Sequence, residues 1–589
     1  MEEETEQFIE SYNIKKRVLT FLKRYEWVLL ISLTVISWVL GFIGFWIYFK
    51  EIGEVRTLTD IAYVTFQLFT FESGFIDGHA PVVLDIARFL APFTLVYAAF
   101  TAFMWFINQQ YKLLRLKKYK DHTIFLGLGK QGIQLLKNLQ NTNEKIVVVT
   151  REELAPTDKP DHIDTIFITA NINDIKVLKK IQLEYAKHVM CMADDEKQNL
   201  STGIFISDYS KLNLPNNKTK IYIQTSPLLI EQLQELDFDD KASGNHNIFE
   251  HKVHFFNIYE RAARLLIKKY SPDRFAEFPK DSEVQAHILI AGFDAMGQAL
   301  LLQAGKMFHF ANRDKLKATV IHNNIEEVER FIKSYPGVVD VIDLDFIEQN
   351  DINKRNIYEK TGNSEIHMIF ICVADDMVSV NVFNTLSLLI LETNLVFCHE
   401  HSGGFSERID RKNIDHFSVY DETLNIDSIV KENIDKQAMI VHQSYMIKED
   451  ANVDEKINEL KKLTHHEWNN LTERTKNANR NQADHINIKL RAAGCDTQPI
   501  VQNEELYDFT TDMEMVEILA EVEHRRWNAE QLLNGWVYGE MRNNELKIHD
   551  NIVPYAELTD RIKQYDRDAV INIPVILAAV KLKIDKKGV

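Results

Sequence analysis

The sequence has few cysteines, and none of them stands close to another. Cys191, Cys372, Cys398 and Cys495 are the four cysteines among 589 residues. This usage suits a reducing cytosol and argues against both a disulfide framework and a zinc site. The histidines lack the i, i+4 helical spacing of a zinc protease. We therefore predict no metal site.

Positive charge is also in short supply. The chain carries 86 acidic against 68 basic residues, a formal net charge of −18. Such a chain is a poor general binder of nucleic acid, so we predict no nucleic-acid partner. Low-complexity tracts and collagen-like repeats are absent as well. The length predicts three or four folded domains.

Two long apolar runs stand out against this background. Residues 27–49 and 89–107 contain no charged residue, and each is close to the roughly 20 residues that cross a bilayer. Basic residues flank the outer ends of the pair, which places both termini in the cytoplasm. A cleavable signal peptide is disfavoured because the first run is too long and the N-terminus is acidic. We predict a multi-pass protein of the cell (inner) membrane, in contact with lipid.

Residues 58–74 lie between the two runs and form a segment that is too short and too polar to span a bilayer. Its apolar positions predict a short helix pointing into protein, followed by a Ser-Gly turn. Non-helical backbone at membrane depth is tolerated only when it is buried in protein or lines water. A re-entrant pore segment satisfies this condition, but only in an oligomer, since one hairpin cannot enclose a pore. A plain two-helix anchor is the alternative.

Residues 27–111 resemble the pore unit of potassium-channel-like proteins. The resemblance implies a homotetramer around a pathway for a permeant cation. A TVGYG filter is missing, and the corresponding residues are Thr70, Phe71, Glu72, Ser73 and Gly74. We therefore do not predict potassium selectivity. A ring of Glu72 carboxylates would favour cations if it faces the pore; otherwise Glu72 is merely solvated.

A glycine motif follows the membrane segment. The apolar stretch 123–126 runs into Gly127-x-Gly129-x-x-Gly132 and then into a helical pattern. In the dinucleotide fingerprint the first glycine allows the tight turn, the second lets backbone approach a pyrophosphate, and the third permits helix–strand packing. Further strands are predicted at 146–150, 165–169, 188–192 and 221–225. This alternation predicts a doubly wound sheet.

Residues 120–237 also resemble the nucleotide-binding lobe of RCK domains, and the resemblance implies an adenine nucleotide or NAD(H) in the cleft. The acid expected about 20 residues after the fingerprint is absent, and Arg151 suits a phosphate better than a bare ribose. NAD, NADP and an adenine mono- or triphosphate all stay open, as does a scaffold without ligand. The candidate binding residues are Gly127, Gly129, Lys130, Gln131, Gly132, Thr150, Arg151, Asn171 and Asp194.

A second copy of the pattern begins at residue 287. Strand, glycine turn and helix recur over 287–297, and residues 374–376 mirror 193–195. Asp294 replaces the second fingerprint glycine, and its charge and bulk should exclude a pyrophosphate. We predict that this copy is structural or binds something other than a dinucleotide. Residues 249–271 are predicted as a connecting helix, and strands are predicted at 318–321, 339–342, 368–373 and 395–399.

The remaining chain is helical, charged and marked by tryptophan. Residues 466–579 resemble the RyR repeat domain, which implies ligand sensing. Glu523 and Trp527 share one helix face. Either these side chains form an aromatic-polar pocket for a planar, charged ligand, or they hold a small helical core together. The candidates are Trp468, Arg480, Asp484, His485, Glu523, His524, Arg525, Trp527 and Trp536.

These segments predict a multidomain fold: an α-helical transmembrane pore hairpin, two doubly wound α/β (Rossmann-like) domains and a small, mainly α C-terminal RyR domain. The predicted boundaries are 1–26, 27–111, 112–250, 251–450 and 451–589.

The favoured function is a tetrameric ligand-gated cation channel controlled by a small nucleotide-type ligand, by a signal at the RyR domain, or by both. A membrane-depolarising effector with a non-selective pore is the alternative. A membrane-anchored NAD-dependent oxidoreductase is less favoured, because no catalytic constellation accompanies the fingerprint, and we predict no enzyme.

Overall fold

The chain divides into two compact units, Met1–Lys118 and Tyr119–Val589. The computed structural model describes residues 26–72, 76, 78–139, 142–154, 159, 164–214, 216–226, 229, 253–352, 354–361, 365–387, 393–430, 433–447, 453–462, 468–469, 471–501 and 505–586.

The first unit contains two long helices with a short one between them in sequence. Helix α1 spans Glu26–Glu51, α2 spans Leu58–Gln67, and α3 spans Val82–Leu116. A single 3₁₀ turn, Leu68–Thr70, continues α2. The segments Trp27–Glu51 and Val82–Met104 are long and apolar enough to cross a membrane, by length and composition. Helix α3 is longer at both ends than the apolar run predicted from the sequence.

The short helix is held by its cap and by its apolar face. Thr57 and Asp60 form a reciprocal capping box at its start, which satisfies helix amides that have no partner inside the helix. Ile61, Val64 and Leu68 are buried in one apolar cluster with side chains of both long helices. Gly44 permits the close approach of α1 and α3, because an added Cβ would lie 2.7 Å from the Leu84 Cα.

The second unit begins with an all-parallel sheet of strand order β3-β2-β1-β4-β5-β6. The order reverses between β1 and β4, which opens a crevice beyond the carboxyl ends of these strands. Strands β1 and β2 are buried throughout, as their continuous apolar sequences indicate. The strands are β1 His122–Leu126, β2 Ile146–Thr150, β3 Thr165–Thr169, β4 Ala186–Cys191, β5 Lys220–Gln224 and β6 Val253–Phe256; the helices are α4 Lys130–Asn138, α5 Ile175–Lys180, α6 Glu196–Asn213 and α7 Ile258–Lys269.

The prediction of one connecting helix over residues 249–271 was wrong in its first part. Val253–Phe256 forms β6, which pairs in parallel with β5, and α7 starts only at Ile258. Periodicity cannot separate a strand from a helix in so short an apolar run. Pairing with the exposed edge of β5 decides the outcome. Residues 249–252 lie outside the described residues.

A second parallel sheet repeats the same topology, with order β12-β11-β10-β7-β8-β9. Counted from its own first strand, this is the order of the first sheet, which supports the predicted duplication. Its strands are β7 His287–Ala291, β8 Leu316–His322, β9 Ile342–Glu348, β10 Met368–Ile371, β11 Asn394–His399 and β12 Ile414–Ser418; its helices are α8 Ala295–Met307, α9 Ile325–Ser334, α10 Val338–Val341, α11 Lys354–Thr361, α12 Asp376–Ser387, α13 Val419–Thr423 and α14 Ile426–Val430.

The predicted strand at 339–342 was also wrong. Val338–Val341 forms the short helix α10, and the strand begins at Ile342. Strand β9 lies at the edge of the sheet, so its sequence alternates apolar and acidic residues. The apolar run before it packs instead as a helical turn, with Val338 and Val341 buried.

One hydrophobic core serves both sheets. It contains Phe125 and Met190 of the first sheet together with Ile288 and Phe370 of the second. Helices α7 and α8 pack against each other, and both contribute side chains to this core. The two Rossmann-like parts are therefore joined by shared packing as well as by the chain.

The C-terminal part is mainly helical around its own core, which includes Trp468, Val516 and Leu577. The predicted fold class is thus confirmed. The elements are α15 Lys436–Ser444, α16 Val453–Leu460, α17 Glu473–Asp484, α18 Ile486–Ala492, β13 Cys495–Pro499, α19 Met513–Leu533, β14 Val537–Tyr538, β15 Ile548–His549, α20 Asp560–Ile571, α21 Ile573–Ala579 and β16 Leu582–Lys586.

Candidate functional site

The predicted filter residues follow the short helix of the first unit. Thr70 ends the 3₁₀ turn, and Phe71 takes the left-handed conformation with φ of 65°. The Glu72 amide donates to the Gln67 carbonyl at 3.1 Å, and Glu72 is exposed. The chain thus turns away from the helix at Phe71, in the conformation that a C-cap glycine usually adopts. Ser73 and Gly74 lie outside the described residues.

The three fingerprint glycines all lie against the end of β4. Gly127 has a φ of 78°, and its added Cβ would lie 3.1 Å from the Ala193 nitrogen. At Gly129 the added atom would lie 2.6 Å from the Asp194 nitrogen, and at Gly132 it would lie 3.1 Å from the Met192 carbonyl oxygen. Neighbouring backbone therefore leaves no room for a side chain at Gly129, and at Gly127 and Gly132 it would have to shift to admit one. The turn that the fingerprint requires is present.

Asp194 reaches the N-terminus of α4. Gly129 is the N-cap and offers no side chain, while the Lys130 amide donates to the Asp194 carboxylate Oδ1 at 2.9 Å. The first amides of a helix have no partner inside it, and they are the donors that bind phosphate in Rossmann folds. Gln131, half-buried, stands next to Lys130 in this first turn.

Asn199 fixes the loop that carries Asp194, and it was not among the predicted site residues. It is fully buried. Its Oδ1 accepts from the Ala193 amide at 2.7 Å, and its Nδ2 donates to the Ala193 and Gln224 carbonyls at 2.9 and 3.1 Å. A polar residue on the buried face of α6 was the signal that would have indicated it.

Polar side chains collect at the carboxyl ends of β2 and β3. Arg151 follows β2, Asn171 follows β3, and with Asn173 they line one open groove. Thr150 is largely turned inwards, with its hydroxyl donating to the Glu152 carbonyl at 2.8 Å. Sequence reasoning missed Asn173, which is two residues beyond Asn171. The structure thus brings Arg151 and Asn171 together on the edge of the sheet that carries the glycine turn.

The second copy keeps the glycine turn, but an aspartate side chain occupies the N-terminus of the helix that follows it. Gly292 has a φ of 99°, and a Cβ on Gly297 would collide with the Gly292 carbonyl oxygen. Asp294 is the N-cap of α8, and its carboxylate accepts from the Met296 amide at 3.2 Å. The cap occupies the helix end at which a phosphate would bind.

The RyR candidates separate into three groups. Arg480 and Asp484 join the interdomain ionic cluster, defined as Arg264, Asp435, Glu473, Arg480 and Asp484. Arg264 pairs with Asp484 at 2.6 Å and with Asp435 at 2.8 Å, while Arg480 pairs with Asp435 and Glu473, each at 2.8 Å. Arg264 belongs to α7, so this cluster ties the linker helix to α17.

The second group is a buried charge cluster on α19. Arg526 pairs with Glu523 at 2.9 Å and with Glu530 at 2.6 Å, and Lys489 of α18 pairs with Glu523 at 2.5 Å. His485 is fully buried, and burial holds the pKa of its imidazole well below the usual value. The predicted site residues did not include Arg526, Glu530 or Lys489, although the spacing of Glu523, Arg526 and Glu530 places them on one helix face.

The third group is aromatic. His524 stacks on Trp527 with ring centroids 5.7 Å apart. The ring of His549 makes T-shaped contacts with Trp527 and Trp536, with centroids 5.0 and 6.0 Å apart. The His524 Nε2 hydrogen-bonds to the Val553 carbonyl at 2.8 Å. The guanidinium of Arg474 lies 4.2 Å from the Trp536 ring centroid. Trp527 is partly exposed, whereas Trp536 is buried.

Trp468 and Arg525 stand apart from these groups. Trp468 is a core residue, with Arg480 5.7 Å from its ring centroid. Arg525 donates to the Phe310 carbonyl of the second Rossmann-like part, and burial lowers the pKa of its guanidinium to about 10. The nine predicted residues are thus spread over core, ionic and aromatic surroundings, and half-exposed Trp527 is the aromatic candidate that solvent reaches.

Because of these ion pairs, we expect the stability of the folded protein to depend on pH in the acidic range. Burial opposes ionisation of Glu473, but Lys476 and Arg480 outweigh it and lower its pKa to about 2. Stability from this carboxylate is present above its unfolded pKa of about 4.5 and is lost as pH falls toward 2. We expect the melting temperature to fall below pH 4.5, less steeply in Glu473→Gln. Equal slopes in thermal melts from pH 7 to 3 would contradict this.

Comparison with known families identifies two domains. The TrkA-N domain matches residues 123–240, and the RyR domain matches residues 507–586. The first match covers the glycine turn and Asp194. The second covers the α19 residues of the charge cluster and the rings of the aromatic group. The resemblances to the RCK nucleotide-binding lobe and to the RyR domain are confirmed, although the RyR match begins later than residue 466.

Among solved structures, similarity is remote. GsuK bound to ADP is 14% identical, with 68% of this chain and 96% of that chain covered and a TM-score of 0.34. The GsuK channel bound to NAD is 12% identical, with 68% and 82% covered and a TM-score of 0.35. L-tryptophan dehydrogenase from Nostoc punctiforme is 9% identical, with 70% and 88% covered and a TM-score of 0.22.

At identities and TM-scores this low, the solved structures say nothing of ligand or activity. The search among curated proteins found no match. The assignment rests on the two domain matches. The chain therefore contains a TrkA-N domain in its first Rossmann-like sheet and an RyR domain at residues 507–586.

Proposed function

We propose that this chain is the subunit of a homotetrameric cation channel of the cell membrane, gated by an adenine nucleotide or NAD(P)(H) at its TrkA-N domain. One observation carries the proposal. A glycine turn that leads into the N-terminal amides of α4 follows directly after a helical hairpin. The two long helices of this hairpin have the length to cross a membrane, and a short third helix lies between them in sequence.

The hairpin supports a pore because of how α2 is packed. Its buried side chains contact both long helices, which suits a re-entrant segment and is not needed for a simple anchor. Large apolar side chains on α3 point outwards, for example Phe89 with 82% of its surface exposed. Lipid and neighbouring subunits would cover such a surface, since a contiguous exposed apolar surface marks an interface.

The ligand proposal rests on the edge of the first sheet. A carboxylate at the end of β2 would favour a ribose 2′-hydroxyl, but Arg151 stands there and favours phosphate. Asn171 and Asn173 add polar side chains to the same groove. A phosphorylated adenine nucleotide or NAD(P)(H) fits this combination of a cationic side chain and helix amides.

Gating follows from the connection between the units. Only residues 117–121 separate the end of α3 from the start of β1. A ligand changes the pore only if it binds the open and closed states with different affinity. With so short a connection, a shift of the first sheet between two states would pull on α3. The RyR domain offers a second input, with half-exposed Trp527 as its aromatic contact.

The test is ion flux through purified protein in liposomes. We expect cation flux that changes on addition of ADP, ATP, NAD or NADP to the side bearing the TrkA-N domain, and that Arg151→Gln makes insensitive to ligand. Lys187→Gln, which removes one charge from β4 of the same domain, is the matched control. Absence of flux with every nucleotide would contradict the channel, and NAD turnover without flux would favour an oxidoreductase.

Selectivity is tested at Glu72 in the same liposomes. Because a ring of carboxylates favours cations, Glu72→Gln should move the reversal potential toward that of a non-selective pore. Glu51→Gln, at the exposed end of α1, should leave it unchanged. An unchanged potential in Glu72→Gln would remove Glu72 from the pathway, and equal permeation of anions in the native protein would favour the non-selective effector.

A further inference from the structure

The phosphate position of the TrkA-N domain is occupied by the protein itself. The Asp194 carboxylate accepts from the Lys130 amide at 2.9 Å at the N-terminus of α4. A pyrophosphate on the fingerprint uses the same helix end. Two anions cannot share this donor, because like charges in close contact repel each other. A ligand phosphate must therefore displace Asp194 or bind elsewhere.

The loop after β4 allows the Asp194 side chain to move away from α4 while the loop backbone stays in place. Ala193 is held on both its amide and its carbonyl by buried Asn199. Asp195 caps α6 by accepting from the Lys197 amide at 3.0 Å. Asp194 lies between these two anchors, and its side chain is exposed. Rotation of that side chain frees the Lys130 amide without unfolding the loop.

The second Rossmann-like part shows the fixed version of the same arrangement. There the carboxylate belongs to Asp294, the N-cap residue of α8 itself, and it accepts from the Met296 amide. Removing it would uncap the helix and leave its first amides without a partner. In the first part the helix has a glycine N-cap, and the carboxylate comes from a different strand end. The carboxylate on the helix N-terminus is thus fixed in the second Rossmann-like part and can be displaced in the first.

We infer that Asp194 is an internal competitor of the ligand's phosphate, and that it sets how strongly this site distinguishes phosphorylated nucleotides from nucleosides. The inference rests on the proposed nucleotide site. A phosphate displaces the Asp194 carboxylate and takes the α4 amides, so part of its binding energy is offset by the bond it breaks. A nucleoside without phosphate leaves Asp194 in place.

The test compares ADP with adenosine on the full chain in detergent. We expect Asp194→Asn to tighten ADP binding by about tenfold or more and to leave adenosine binding unchanged, measured by titration calorimetry. The gain should shrink as salt is raised, because the removed repulsion is electrostatic. Asp194→Ala, which removes both the charge and the acceptor, should shift ADP binding in the same direction.

Asp208→Asn is the matched control. It makes the same change on an exposed position of α6, about 18 Å along the helix from its N-terminal end, and should change neither affinity. Unchanged or weaker ADP binding in Asp194→Asn would overturn the inference while the nucleotide site stands. Equal tightening of adenosine would also overturn it. Absence of ADP binding to both the native protein and the variants would overturn the nucleotide site and the inference together.

Discussion

Replacing Arg526 by methionine is expected to destabilise the unit Tyr119–Val589 by about 3–5 kcal/mol, the usual cost of removing one partner from a buried ion pair. Arg526 pairs with both Glu523 and Glu530, and all three side chains are at most 5% exposed. Methionine has a similar length but no charge, so buried Glu530 would lose the Arg526 guanidinium, and buried Glu523 would keep Lys489 alone of its two ion-pair partners in the described structure.

The pKa shifts show how strongly these groups depend on one another. Burial opposes ionisation of Glu523, but Arg526 and Lys489 outweigh it and lower its pKa to about 2. Without Arg526, the effect of burial is less opposed, and the pKa of Glu523 should rise. If the pKa in the folded variant rises above its unfolded value of about 4.5, folding takes up a proton between the two values, and stability falls as pH rises through that window.

Thermal melting of the full chain measures this effect. We expect the melting temperature of Arg526→Met to fall by about 5 °C or more. Arg561→Met is the matched control, because Arg561 lies exposed on α20 of the same domain. If the two variants melt together, the charge cluster contributes no net stability. Circular dichroism at low temperature establishes that each variant is folded before it is melted.

Replacing Gly129 by aspartate is expected to weaken nucleotide binding by more than about 100-fold, or about 2.7 kcal/mol. The added Cβ would lie 2.6 Å from the Asp194 nitrogen, so the loop after β4 must move. The added carboxylate would also cap α4, as Asp294 caps α8. Both effects remove the phosphate position, and the change converts the first copy into the second at this position.

Binding of ADP and NAD to the full chain measures the loss. Leu212→Asp introduces the same charge at an exposed position of α6, about 24 Å along the helix from the end that faces the site, and should bind normally. Gly129→Ala removes the space without adding charge, so it separates steric exclusion from repulsion. Retained binding in Gly129→Asp would shift the ligand to the second Rossmann-like part or to the RyR domain.

Local patterns were enough to predict much of the architecture. An apolar strand followed by Gly127, Gly129 and Gly132 predicted the turn and α4, because each glycine has a local steric role. The long uncharged runs predicted α1 and α3, since the bilayer demands length and apolarity alone. Strands β1 and β2 are fully buried, so their composition is distinctive.

Sequence patterns did not predict the elements whose structure depends on neighbouring strands. Strand β6 is a strand because β5 offers it an open edge, and β9 alternates because it lies at the margin of the second sheet. The partners in the interdomain ionic cluster are even more remote, since Arg264 and Asp484 are 220 positions apart. Arg480 and Asp484 were expected in an RyR pocket, but Asp484 pairs with Arg264 of α7, and Arg480 pairs with Asp435, which Arg264 also contacts.

The sequence by itself determined which helices can cross a membrane, where the glycine turns stand, and that the Rossmann-like pattern occurs twice. These features depend on the chemistry of consecutive residues. Only the tertiary structure decided that Asp194 lies on the Lys130 amide and that the two sheets share one core. Contacts between distant residues depend on how strands and helices pack, and strand order brings β4 beside β1 although other elements separate them in the chain.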